Sequence, residues 1–74
     1  MGVLAKEREW ADRARRYVKA ELKRAEVSYA ELARRLEETE ASITAKLNRG
    51  TFAATFFLVT MKAIGKENVS LSDL

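Results

Sequence analysis

Four residues, Ser28-Tyr29-Ala30-Glu31, constrain this chain more than any others, because they mark where a helix must begin. A serine at the cap position can accept the backbone N–H of the third helical residue, and a glutamate there can reach back to the serine N–H. Val27 before the cap and Leu32 at the fourth helical position can add a hydrophobic staple. From there Tyr29, Leu32, Ala33 and Leu36 share one face, which predicts a helix over 28–37. The cap cuts the chain in two, and the segments on either side can be read independently.

Upstream, Trp10, Ala14, Val18, Leu22 and Ala25 recur at spacings of four and three, marking the apolar stripe of one long helix over 4–25. Trp10 is expected to anchor the core. Arg8, Arg15, Arg16, Lys19 and Lys23 lie off the stripe as a basic face, braced by pairs such as Asp12–Arg16. Downstream, Thr39 is a candidate N-cap for a third helix over 40–49, with Glu40 in its first turn and Lys46 and Arg49 near its end. Ile43 and Leu47 point inward, and Gly50 is expected to close this helix in a left-handed conformation. A fourth helix, 51–64, is apolar nearly all round through Phe52, Phe56, Phe57, Leu58, Val59, Met61 and Ile64, so it is expected to be buried on most sides and to end at Gly65. The tail reads equally as a short strand or a last helical turn. With no proline and no repeat, residues 1–74 read as one all-α domain, a four- to five-helix bundle.

A chain of 74 residues buries only about 60% of its unfolded surface, so a core of this size leans on disulfides, metals or association. Cysteine and histidine are both absent, which removes disulfides and argues against zinc. Association as a homodimer is the remaining aid. The same absence leaves no obvious base or nucleophile, and the carboxylates fall on polar faces, so neither an enzyme nor a cofactor is expected. Lys6, Glu7, Arg8 and Glu9 interrupt any leader-like apolar run, and the stretch Phe52–Ile64 is too short to span a bilayer. A cytoplasmic protein is expected.

The net charge of +3 is unevenly distributed. Residues 1–26 hold eight basic and five acidic side chains, whereas 27–50 balance four against four and 51–74 two against two. The excess lies on the first helix, so overall charge by itself says little about a polyanionic partner.

Two short helices joined by a brief turn, the first with a small residue at mid-length, form the pattern of a helix-turn-helix, and Ala33 is that small residue. The run "SYAELARRL…SITAKLNRG" resembles the Cro/CI-type (XRE) helix-turn-helix, a capped "ELA..L" helix followed by an "I…I.RG" helix. Where that pattern carries a glycine after its first helix, Glu37-Glu38 stands here, and Ile43 and Leu47 are four apart rather than three. Glu37, Glu38 and Glu40 would face phosphates unless they turn away or pair with Arg34 and Arg35. The chain as a whole is similar to a bacterial family of small uncharacterised domains sharing an early tryptophan (Trp10), "SYxELAxxL" (Ser28 to Leu36), Thr39-Glu40, Lys46, Arg49-Gly50-Thr51-Phe52 and Ala63-Ile64-Gly65.

The helix-turn-helix resemblance implies a DNA-binding transcriptional regulator with helix 40–49 in the major groove. With Ile43 and Leu47 buried, Ala41, Ser42, Ala45, Asn48 and Arg49 project outward and Lys46 lies on the flank. Arg49 can pair bidentately with guanine, Asn48 can bond adenine, and Ser42 or Lys46 can hold phosphate or base edges. The Ser28 hydroxyl and the first N–H groups of its helix suit a phosphate. Arg49 can equally serve as a partner of its own helix dipole, and Tyr29 reads as a core aromatic. The competing reading is a helical protein–protein module, antitoxin-like or an adaptor, that does not read DNA.

Overall fold

The computed structural model describes residues 2–49 and 52–74, and the side chains from residue 5 onward within that range. Its elements are α1 (Gly2–Arg24), α2 (Tyr29–Leu36), α3 (Glu40–Arg49), α4 (Ala54–Ala63) and a 3₁₀ turn, Leu71–Asp73. No strand occurs among the described residues. The tail is therefore a helical turn: Ser70 and Asp73 form a capping box, the Ser70 hydroxyl accepting from the Ser72 N–H while Asp73 accepts from the Ser70 N–H.

The helix starts follow their caps. Ser28 Oγ accepts the Glu31 N–H at 3.1 Å, and Thr39 Oγ1 accepts the Ser42 N–H at 3.1 Å. The expected return bond from Glu31 to the Ser28 N–H does not form. The Glu31 carboxylate instead binds Arg34 and Arg35, with Arg35 Nε 2.9 Å away, because ionic donors outcompete a neutral amide for it. Both arginines are thereby taken, and the turn glutamates do not pair with them.

Three helix ends share one geometry. Glu26, Glu37 and Gly65 sit at positive φ (58°, 58° and 77°). At each, two N–H groups fold back onto the preceding turn: Glu26 to Lys23 and Val27 to Leu22, Glu37 to Arg34 and Glu38 to Ala33, Gly65 to Lys62 and Lys66 to Met61. This is the Schellman closure. Glu37 thus takes a left-handed conformation that glycine adopts at less cost. The expected Gly50 cap and Thr51 lie outside the described residues, but the fourth helix starts later than expected: Phe52 and Ala53 are not helical, Ala53 being extended, and the helix runs from Ala54.

The core consists of Val18, Leu22, Val27, Leu32, Ala33, Ile43, Leu47, Phe56 and Met61, with Tyr17, Tyr29, Leu36, Phe52 and Phe57 packed against it. The staple pair Val27 and Leu32 is inside it, as the sequence predicts. α2 packs against both α3 and α4, and α1 against α4. Arg35 adds a cross-link by donating to the Ala63 carbonyl at 2.9 Å.

Two expectations fail on the outside. Trp10 is 40% exposed, not a core anchor, and Ala25 is exposed too. A helix of 23 residues is roughly 35 Å long and outruns the short elements that could cover it, so residues 5–10 are all exposed. The Trp10 ring is instead faced by the Arg13 guanidinium, 4.6 Å from its centroid. On α4, Phe56, Thr60 and Met61 are buried, but Leu58 and Val59 are 64% and 41% exposed. That helix is buried on one side only. No helix among the described residues is long and apolar enough to cross a membrane.

Candidate functional site

The α2–α3 corner places the residues that sequence reasoning singled out. Ala33, at 3% exposure, leaves room for α3 to approach α2, and Leu32, Ile43 and Leu47 fill the angle between the helices. Burying Ile43 and Leu47 fixes the rotation of α3. Ala41, Ala45, Asn48 and Arg49 are then exposed and Lys46 half-buried at the flank, as the helical wheel predicts, whereas Ser42, expected to project outward, is half-buried because its hydroxyl turns to Glu38.

The five candidates divide into three groups. Asn48 and Arg49 are exposed, and neither makes a side-chain hydrogen bond or ion pair among the described residues. Arg49 places its guanidinium fork at the end of α3. Ser28 is exposed with its oxygen accepting the α2 cap bond, which leaves its O–H to donate outward. Ser42 and Lys46 are engaged. Ser42 Oγ donates to Glu38 Oε1 at 2.8 Å, and Lys46 Nζ donates to Glu38 Oε1 at 2.8 Å and Oε2 at 3.0 Å. The ammonium also lies 4.9 Å from the Phe56 ring centroid, a cation–π placement.

Sequence reasoning missed Glu38 as a site residue. It treated the glutamate only as a charge to be turned away from phosphates, with Arg34 and Arg35 as partners. The signal was present: Glu38, Ser42 and Lys46 are spaced four and four apart, which aligns them on one side of α3 even though Glu38 precedes its first turn. Lys46 and Ser42, in that order, hold the Glu38 carboxyl below its ordinary value of 4.5.

Beside this cluster α3 and α4 enclose a groove of about 530 Å³. Leu36, Phe52, Phe56 and Val59 form its apolar lining, and Glu38, Lys46 and Arg49 its polar one. Phe52 and Phe56 meet edge to face, with centroids 5.3 Å apart.

The basic excess of α1 is less available than the sequence implies. Asp12 pairs with Arg15 and with Arg16 at 2.7 Å; Arg15 first, then Arg16, keeps the Asp12 carboxyl below its ordinary value. Glu21, a buried carboxylate, pairs with Arg24 and with Lys66 at 3.7 Å, tying α1 to the segment after α4. Arg8, Lys19 and Lys23 make no ion pair among the described residues. No group of residues that could hold a metal ion occurs among them either.

Residues 10–69 match the family model described as "Domain of unknown function (DUF6471)". The match begins at Trp10 and takes in all of α2, α3 and α4. No curated protein and no solved structure matches the chain.

Proposed function

The chain belongs to this family of unassigned function, and we propose that it is a DNA-binding protein, a homodimeric transcriptional regulator of the helix-turn-helix type that sets α3 in the major groove. One observation carries the reading: Asn48 and Arg49 stand exposed on a short helix whose rotation is fixed by a capped, closely packed partner helix. Arg49 suits guanine and Asn48 adenine, while the Ser28 hydroxyl and the first turn of α2 suit a backbone phosphate.

The exposed Leu58 and Val59 support the dimer, since a neighbouring copy would cover them. A two-fold arrangement would present two copies of α3, and half-sites one turn apart require about 34 Å between them.

The second reading, a helical protein–protein module without DNA, is favoured by the same exposed apolar side chains and by the groove between α3 and α4. A gel shift of the purified protein on its own promoter region at low salt separates the two. Binding is expected, and Arg49→Ala should weaken it by about 1–3 kcal/mol and relax the preference at one base position. If the parent protein shifts no DNA at low salt, the module reading stands instead.

A further inference from the structure

The geometry points to Glu38 as a charge latch on α3, a residue that holds Lys46 and Ser42 off the exposed face and thereby sets the strength and salt dependence of DNA binding. It rests on the DNA-binding reading above and names a control that reading does not contain.

Three bonds of 2.8 to 3.0 Å converge on this one carboxylate, two from the Lys46 ammonium and one from the Ser42 hydroxyl. They use the Ser42 hydroxyl and two of the three donors of the Lys46 ammonium, and they hold its charge beside a carboxylate rather than a phosphate. The carboxylate is also pre-placed. The Glu38 N–H is bonded to the Ala33 carbonyl at 2.8 Å, and Glu37 beside it is locked in its left-handed turn, so the backbone that aims the side chain is fixed by the end of α2. On the other side the Phe56 ring accommodates the ammonium. Lys46 first and Ser42 second hold the Glu38 carboxyl below its ordinary range, in keeping with these bonds.

The charge balance gives the consequence. From 38 to 49, Glu38 and Glu40 oppose Lys46 and Arg49, leaving this segment neutral. Glu38→Gln removes one negative charge, keeps the shape, and leaves the backbone bond of the turn untouched. Lys46, no longer held by an ion, becomes available to a phosphate.

The test is the salt dependence of DNA affinity for the parent, Glu38→Gln, Lys46→Ala and the double variant. One added phosphate contact steepens the slope of log affinity against log salt by about 0.9, equivalent to roughly tenfold tighter binding at 0.1 M salt. Glu38→Gln should show that gain. In the Glu38→Gln background, Lys46→Ala should return the slope to the parent value, whereas Lys46→Ala alone leaves the Glu38 carboxylate unpaired and should weaken binding.

A parent-like slope for a folded, DNA-binding Glu38→Gln overturns the latch alone. So does a slope that stays steep in the double variant, which would place the gain on a group other than Lys46. Failure of both the parent and Glu38→Gln to bind at low salt overturns the DNA reading and the latch with it.

Discussion

The α2–α3 corner and α4 are both rich in apolar side chains and use them in opposite ways. In the corner, Leu32, Ala33, Ile43 and Leu47 occupy two narrow stripes, and all four are buried. On α4 the apolar residues run round the helix, so Phe56 and Met61 are buried while Leu58 and Val59 remain in solvent. A helix of ten residues touching α1 and α2 on its inner side cannot cover its own outer one. The difference separates two uses of hydrophobicity: the corner spends its apolar area on folding, and α4 keeps part of its area available for another surface.

Truncation should break the symmetry between the regions most visibly. Leu47→Ala removes a fully buried side chain and is expected to cost about 2–5 kcal/mol in urea or thermal unfolding. Leu58→Ala, at 64% exposure, should change the stability of the monomer by no more than about 0.5 kcal/mol while weakening self-association in sedimentation. Equal costs in dilute protein would mean that the outer face of α4 is covered within one chain, and the contrast would fail. A parent that stays monomeric at micromolar concentration and above would remove the dimer.

Ala33 sharpens the corner side of the comparison. It is 3% exposed in the middle of α2, in the same core as Leu32, Ile43 and Leu47. Ala33→Leu should overpack this crossing and cost about 1–3 kcal/mol. An unchanged melting temperature would show that α3 does not depend on close approach there, and the helix-turn-helix reading would lose its structural basis.

What was legible in the sequence is what local chemistry controls. Ser28 and Thr39 cap because a hydroxyl three residues before an N–H needs nothing from the rest of the chain, and both bonds form at 3.1 Å. Ile43 and Leu47 were readable from period alone. Trp10 was not, because its stripe continues past the point where any partner helix remains to cover it. The return arm of the capping box was lost to a competition between donors for Glu31 that spacing does not rank. The exposed Asn48 and Arg49 were visible on the wheel, whereas for Lys46 the spacing from Glu38 and Ser42 gives the alignment but not the bond. It depends on a residue outside the helix, eight positions away, whose direction is set by the end of α2.

The smallest expected effects concern the helix ends, where the corner and α4 differ again. Both α2 and α4 close with the same pair of backbone bonds, but α2 uses Glu37 at the left-handed position and α4 uses Gly65. A side chain there costs about 1–2 kcal/mol of strain, offset by roughly 0.5–1 kcal/mol because glycine has more freedom to lose from the unfolded chain. The Glu37 side chain is exposed and makes no bond among the described residues that would compensate. Glu37→Gly should therefore stabilise the protein by about 0.5–1 kcal/mol, the balance of those two contributions. Gly65→Ala should destabilise it by a similar amount, about 0.5–1 kcal/mol, the same balance of strain and chain freedom without a clash, since nothing lies within 4 Å of where the new Cβ would sit. Urea midpoints at an unchanged slope would read both effects. A loss of stability in Glu37→Gly would mean that the glutamate holds the turn by its side chain. The aim of Glu38, and with it the placement of Lys46, would then depend on Glu37 as well.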